Sequence, residues 1–249
     1  MLKGYLAALM TLTRLPVWRM ITIDKRYFTD TLKYWPLVGY VTGFTTAGVL
    51  WGASLLMPSL TACILAILSR LLLTGAMHED GLADFLDGFG GGRTREKILF
   101  IMKDSHIGCY GVIGLSCYFL LYASLLYSFD TAVLLPLIPM ADVFSKLCAS
   151  TAINSLPYVR KEEESKTRLI YRKSGLVERI SILLLALIPF YFIQDKIFWL
   201  ACLPAILCAG ILRFYLKRKI GGYTGDCCGA MVLITEQVFY LGCLIIYCW

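Results

Sequence analysis

Residues 60–92 read LTACILAILSRLLLTGAMHEDGLADFLDGFGGG, and they decide what kind of chain this is. The first half is apolar apart from Arg70 and a few small hydroxyl residues. Such a run, wound as a helix, is about long enough to cross ~30 Å of hydrocarbon. The second half then places Glu79, Asp80, Asp84 and Asp87 within nine positions, behind His78 and ahead of Gly90, Gly91 and Gly92. A greasy helix that ends in clustered acids points to a membrane-spanning element with polar chemistry at its mouth.

The rest of the chain agrees. Of 249 residues, 58% are hydrophobic and only 16% charged, against about a quarter charged in soluble domains. Apolar runs predict spans near 34–56, 60–77, 107–128, 132–153, 176–194, 198–215 and 229–248. Helix is the form expected, because no water is present in hydrocarbon to satisfy backbone groups. The expected fold is all-α: a polytopic integral membrane bundle of about seven transmembrane helices. Residues 1–20, interrupted by Arg14 and Pro16, predict an interfacial or re-entrant N-terminal helix. No small-residue cleavage site follows them, so a signal peptide is not expected. Without repeats or linkers, residues 1–249 form a single membrane domain.

The net charge of +7 would suggest nucleic acid in a soluble protein; here its distribution matters more, and no nucleic-acid partner is expected. Basic residues precede the first span and fill every second loop: Arg93, Arg95, Lys97 and Lys103; Arg160, Lys161, Lys166, Arg168, Arg172 and Lys173; Lys217, Arg218 and Lys219. The alternate loops hold only Lys196. This asymmetry predicts cytoplasmic basic loops, with the N-terminus inside and the C-terminus outside. Orientation accounts for most of these charges; anionic lipid or substrate phosphate could use the same ones. The ten cysteines are scattered, and neither a disulfide nor a zinc site is expected at the adjacent Cys227 and Cys228.

Three polar segments fall on one predicted side. In the first, Asp80, Asp84 and Asp87 are spaced i, i+4 and i+7, which is one helical stripe. Like charges so close repel, most of all near lipid, and a cation would remove the penalty. Oxygen-only ligands, here including Glu79 and Asp226, suit a hard ion such as Mg²⁺, which takes one or two carboxylates plus waters and phosphates. The glycines of this segment weaken a long helix and suggest a close backbone approach to a ligand. The competing reading is a wet acidic helix face. His78 fits a metal ligand, a general base or a structural residue equally well. In the second segment, Lys103, Asp104 and Ser105 precede a helix beginning near Gly108 and could hold a phosphate; taken alone, an N-cap with a snorkelling lysine explains them better. In the third, Thr224, Gly225 and Asp226 suit a phosphate or metal–phosphate contact, although an inter-helix turn also uses glycines. Arg70, Asp142, Lys146, Arg213 and Glu236 sit inside spans and imply a polar cavity beneath these loops, with Asp142 and Lys146 spaced to pair.

Taken together, HEDGLADFLDGFGGG at 78–92, IMKDSHIGCYG at 101–111, GGYTGDCCGA at 221–230 and LTRLPV at 12–17 resemble the cobalamin synthase family, the adenosylcobinamide-GDP ribazoletransferases. His106 stands where that family commonly has Arg, and Glu79 where Leu is common, which weakens Glu79 as a ligand relative to Asp80, Asp84 and Asp87. The resemblance implies a Mg²⁺-dependent, multi-pass transferase of the prokaryotic inner membrane with its site facing the cytoplasm. Its substrates would be adenosylcobinamide-GDP and α-ribazole or α-ribazole 5′-phosphate, giving adenosylcobalamin or its 5′-phosphate and GMP in a late step of cobalamin biosynthesis. Glu79, Asp80, Asp84, Asp87 and Asp226 would then serve the metal. Lys103 with Arg93 or Arg95 would neutralise nonbridging oxygens, and Asp104, Ser105, Thr224 and Gly225 would contact the nucleotide phosphates. His78 is the first candidate base and Asp87 the second. Membrane lipid is an expected partner, association with other late cobalamin-assembly enzymes is compatible with the resemblance, and oligomeric state is not set by it. The rival readings are another Mg²⁺-dependent membrane phosphotransferase acting on a nucleotide-activated substrate, a cation-coupled transporter, and a structural or assembly subunit that would tolerate Asp84→Ala. The transporter is disfavoured because the outer loops offer little beyond Asp130, Asp195 and Lys196.

Overall fold

A computed structural model describes residues 2–160, 171–191, 193 and 195–249. Lys161, Lys166 and Arg168 of the expected basic loop lie outside the described residues. The described chain is helical throughout, with a single β-bridge between Tyr158 and Tyr223. In order the helices are α1 (Leu2–Leu12), α2 (Trp35–Ser54), α3 (Ser59–Thr74), α4 (Met77–Gly91), α5 (Arg95–Ile101), α6 (Cys109–Tyr127) and α7 (Thr131–Asn154). They continue with α8 (Leu176–Ala186), α9 (Ile188–Tyr191), α10 (Cys202–Ile220) and α11 (Gly225–Tyr247).

Among the described residues, four helices are long and apolar enough to cross a membrane: α6, α7, the continuous segment Lys196–Ile220 that contains α10, and α11. The pair α3–α4 would make a fifth span, bent by 90°. The molecule is therefore a polytopic membrane bundle. The run at 34–56 corresponds to α2, and the run at 176–194 to the shorter α8 and α9. Pro189 explains that break. It has no N–H to offer the Leu185 carbonyl four residues back, and the Tyr40 hydroxyl from α2 donates to that carbonyl instead. At 11 residues, α1 rises only about 16 Å, too short to span, and it packs beside Tyr34 ahead of α2.

The long α7 forms the centre, buried on nearly every side. Gly39 and Gly43 of α2 allow that helix to lie directly on it: a methyl at either position would come within 2.8 Å of the α7 backbone. This is the small-xxx-small contact by which membrane helices approach without a hydrophobic driving force. By contrast, α6 and α10 expose many apolar side chains, as lipid-facing helices do. At the corner between α3 and α4, Gly75 and Ala76 have φ of +68° and +57°. Glycine takes this conformation freely; alanine does so at a cost of about 1–2 kcal/mol. The corner turns α4 across the bundle and sets its first residues against α11.

Candidate functional site

The expected stripe exists: Asp80, Asp84 and Asp87 all lie on α4. The segment forms one regular helix through Gly81, Gly88 and Gly90, which corrects the expectation that its glycines open a ligand-binding turn. They are packing positions instead. A Cβ on Gly81 would lie 2.9 Å from the Asp226 carbonyl oxygen, and one on Gly229 would lie 2.9 Å from that of His78. Two missing side chains thus bring the first turns of α4 and α11 into backbone contact, and Asp226 beside His78 and Asp80.

The result is a cavity of about 120 Å³ under the end of the bundle. His78 and Asp80 from α4 and Gly225 and Asp226 from α11 line it, with Thr11, Trp35, Tyr158, Arg160 and Tyr171 on the other walls. Asp80 is exposed and Asp226 is buried. The Arg160 Nη2 lies 3.2 Å from Asp226 Oδ2, yet that buried nitrogen has no aligned hydrogen-bond acceptor; the contact is an ion pair without a hydrogen bond. Thr224 is the N-cap of α11, its Oγ1 accepting from the Cys227 amide, so Asp226 occupies the first turn, where the helix dipole favours a negative charge. Trp35 and Tyr171 meet edge to face, with ring centroids 5.4 Å apart, giving the cavity an aromatic wall. The buried His78 Nδ1 has no hydrogen-bond partner.

The structure divides the five acids expected to serve the metal. Glu79 turns into the core, where its Oε1 lies 3.6 Å from Arg70 Nη2. Asp87 goes to α6: its Oδ2 accepts from the Gly108 amide at 2.7 Å and its Oδ1 from the Gly111 amide at 2.8 Å. Both oxygens thereby accept from amides at the α6 N-terminus, which gives Asp87 a capping task. Asp84 is half-buried one turn beyond Asp80 and does not line the cavity. Among the described residues no three His, Cys, Asp or Glu side chains gather around one point. The remaining pair still suits Mg²⁺, which commonly uses one or two carboxylates and completes its shell with water and phosphate.

The other expected binders are spread out. Arg93 and Arg95 are exposed beyond the C-terminus of α4, whose last residue, Gly91, lies about 16 Å along the helix from Asp80. Lys103, Asp104 and Ser105 are exposed on the loop before α6 and do not line the cavity. The His106 amide and ring nitrogen both approach Asp104 Oδ1 and hold its carboxyl below the ordinary value. Thr224 is fully buried as a cap, whereas Gly225 reaches the cavity. Sequence reading missed Arg160 as a site residue: it counts there as one orienting charge among many. Trp35, Tyr158 and Tyr171 carried no local signal at all.

If Asp87 caps α6, Asp87→Asn should keep one amide contact and lose the other, with a cost of about 1–3 kcal/mol. A lower thermal midpoint is expected; a midpoint equal to that of the unaltered chain would overturn the capping role.

A membrane bundle whose helix ends bring two carboxylates, a guanidinium and aromatic rings around one cavity belongs to the intramembrane enzymes that act on charged substrates. The chain belongs to the cobalamin-5-phosphate synthase family, whose profile matches residues 4–244. It is 36% identical to the adenosylcobinamide-GDP ribazoletransferase of Shewanella sp. (strain W3-18-1), over 97% of this chain and 94% of that protein. It is 35% identical to the enzyme of that name from Shewanella baltica (strain OS195), with the same coverage. Against the one from Shewanella frigidimarina (strain NCIMB 400) it is 34% identical, over 96% and 93%. No solved structure matches the chain.

Proposed function

We propose that this chain is a membrane-embedded transferase that joins α-ribazole, or its 5′-phosphate, to adenosylcobinamide-GDP and releases GMP. Family membership and relatives of that name along nearly the whole chain support the reaction. The observation that carries the site is the convergence of Asp80 and Asp226, from helices distant in sequence, on one cavity beside Arg160.

In the reaction a ribose hydroxyl oxygen bonds to the phosphorus carried by the cobinamide arm. The bond from that phosphorus to the GMP oxygen breaks, and the hydroxyl proton passes to a base. Such transfers depend mainly on positioning and charge stabilisation. Asp80 and Asp226 would hold Mg²⁺, with Asp84 one turn away orienting its water shell. When bound, the ion would neutralise charge on the diphosphate. Arg160 donates to a nonbridging oxygen, and the N-terminus of α11 at Gly225 adds amide dipoles. His78 accepts the hydroxyl proton, a role that suits an imidazole without a competing partner. Trp35 and Tyr171 offer faces and edges to an aromatic base. The concentration of Lys and Arg in alternate loops supports a site open to the cytoplasm.

The test is the purified chain in detergent, supplied with adenosylcobinamide-GDP and α-ribazole 5′-phosphate. GMP should appear in step with the coupled product, stop on chelation and resume with Mg²⁺. Turnover that ignores chelation would remove the metal; failure to release GMP from these substrates would remove the reaction.

A further inference from the structure

Away from the cavity, α7, α8 and α10 enclose an open groove of about 610 Å³. Its walls are apolar, with Leu147, Leu183, Ile206 and Ala209 among them, and Gly210 leaves open space where a side chain would stand. One end differs. Arg179 stands in the first turn of α8, Ser155 caps the end of α7, and Arg213 lies about two turns before the end of α10. The Arg213 Nε donates to Ser155 Oγ, which brings the ends of these two walls together, and Arg179 lines the same groove. Arg179 has no ion pair among the described residues. Lys217, Arg218 and Lys219 in the last turn of α10 add positive charge there, while the nearby Glu178 is already engaged by Lys33 and Arg172.

We infer that this groove binds one anionic phospholipid, an acyl chain along the apolar wall and the phosphate between Arg179 and Arg213. The groove opens onto the exposed apolar faces of α8 and α10, including Leu184 and Leu207, so hydrocarbon is its default neighbour. The two guanidiniums select the headgroup. A zwitterionic lipid carries its own compensating cation, whereas a phosphatidylglycerol presents an uncompensated charge that each nearby basic residue attracts. No residue of the groove lines the Asp80–Asp226 cavity, so this site stands or falls separately from the transferase reading.

Native mass spectrometry of the detergent-purified chain, titrated with dioleoylphosphatidylglycerol or dioleoylphosphatidylcholine, tests it. One phosphatidylglycerol should be retained about tenfold more tightly than phosphatidylcholine. The double substitution Arg179→Gln and Arg213→Gln should erase that preference but leave general lipid retention. Gly210→Leu, which fills the groove from its apolar side, should lose bound lipid of both kinds; monodisperse elution shows that each variant is folded. Equal retention of the two lipids by the unaltered chain, or a preference that survives the double substitution, would overturn the inference. So would displacement of the bound lipid by inorganic phosphate at a similar concentration.

Discussion

Asp80→Asn is expected to lower GMP release by about 10²–10³-fold while leaving the protein folded. The two halves of this expectation have separate causes. Asp80 is exposed on the cavity wall, so the substitution keeps its volume, removes one negative charge and disturbs no core packing. The loss falls on charge stabilisation during transfer, because an amide oxygen is a weaker ligand for a hard cation than a carboxylate. Asp226→Asn should be comparably inactive, but its interpretation is less direct: Arg160 would lose its ion-pair partner as well. Asp80→Asn is therefore the sharper experiment. If both acids hold one ion, the double variant should be little worse than either single one, since residues acting as a unit are not additive. Asp80→Asn turnover within a few-fold of the unaltered enzyme would leave the cavity without its central role.

How much of this was legible beforehand depends on whether the information was local. The span expected at 132–153 is α7 at Thr131–Asn154, because a continuous apolar run states its own length. The acid stripe on α4 was legible for the same reason: it needs only helical spacing. The start of α11 was misplaced because GDCC looks like loop, whereas Thr224 caps a helix that already includes it. The break before Pro189 was available from the missing N–H, but the hydrophobicity of the run obscured it. The destinations of the acids were not legible. Glu79 and Asp80 are neighbours in sequence and face opposite environments, one a buried arginine and the other a cavity. Asp87 completes the stripe, yet its partners are amides of another helix. Gly81 and Gly229 resemble flexible punctuation until their partner backbones are known. Periodicity shows which residues share a face; it does not show what that face meets.

The largest expected effect on stability comes from Arg70, a residue that does not line the proposed transfer cavity. Its Nη1 lies 2.6 Å from both carboxylate oxygens of Glu236 on α11. It also donates to the Tyr122 hydroxyl at 3.1 Å, and Nη2 donates to the Tyr118 hydroxyl at 2.8 Å. With Glu79 close by, one guanidinium joins α3, α4, α6 and α11. Arg70→Met would leave the buried Glu79 and Glu236 carboxylates without their guanidinium and two tyrosine hydroxyls without their donor. Removing one partner from such a buried network costs about 3–5 kcal/mol, much of the stability of an ordinary domain. The expected result is loss of the monodisperse species in detergent. Glu236→Gln should be milder, since Glu79 still balances the arginine and the amide oxygen can accept from it. The double variant Arg70→Met with Glu236→Met should recover part of the loss by removing the orphaned charge together with its partner. Recovery is incomplete because Glu79 remains buried, so adding Glu79→Leu should recover more. A double variant as unstable as the sum of its single substitutions would mean that Arg70 and Glu236 do not act as a pair, and the bundle would owe its order here to packing alone.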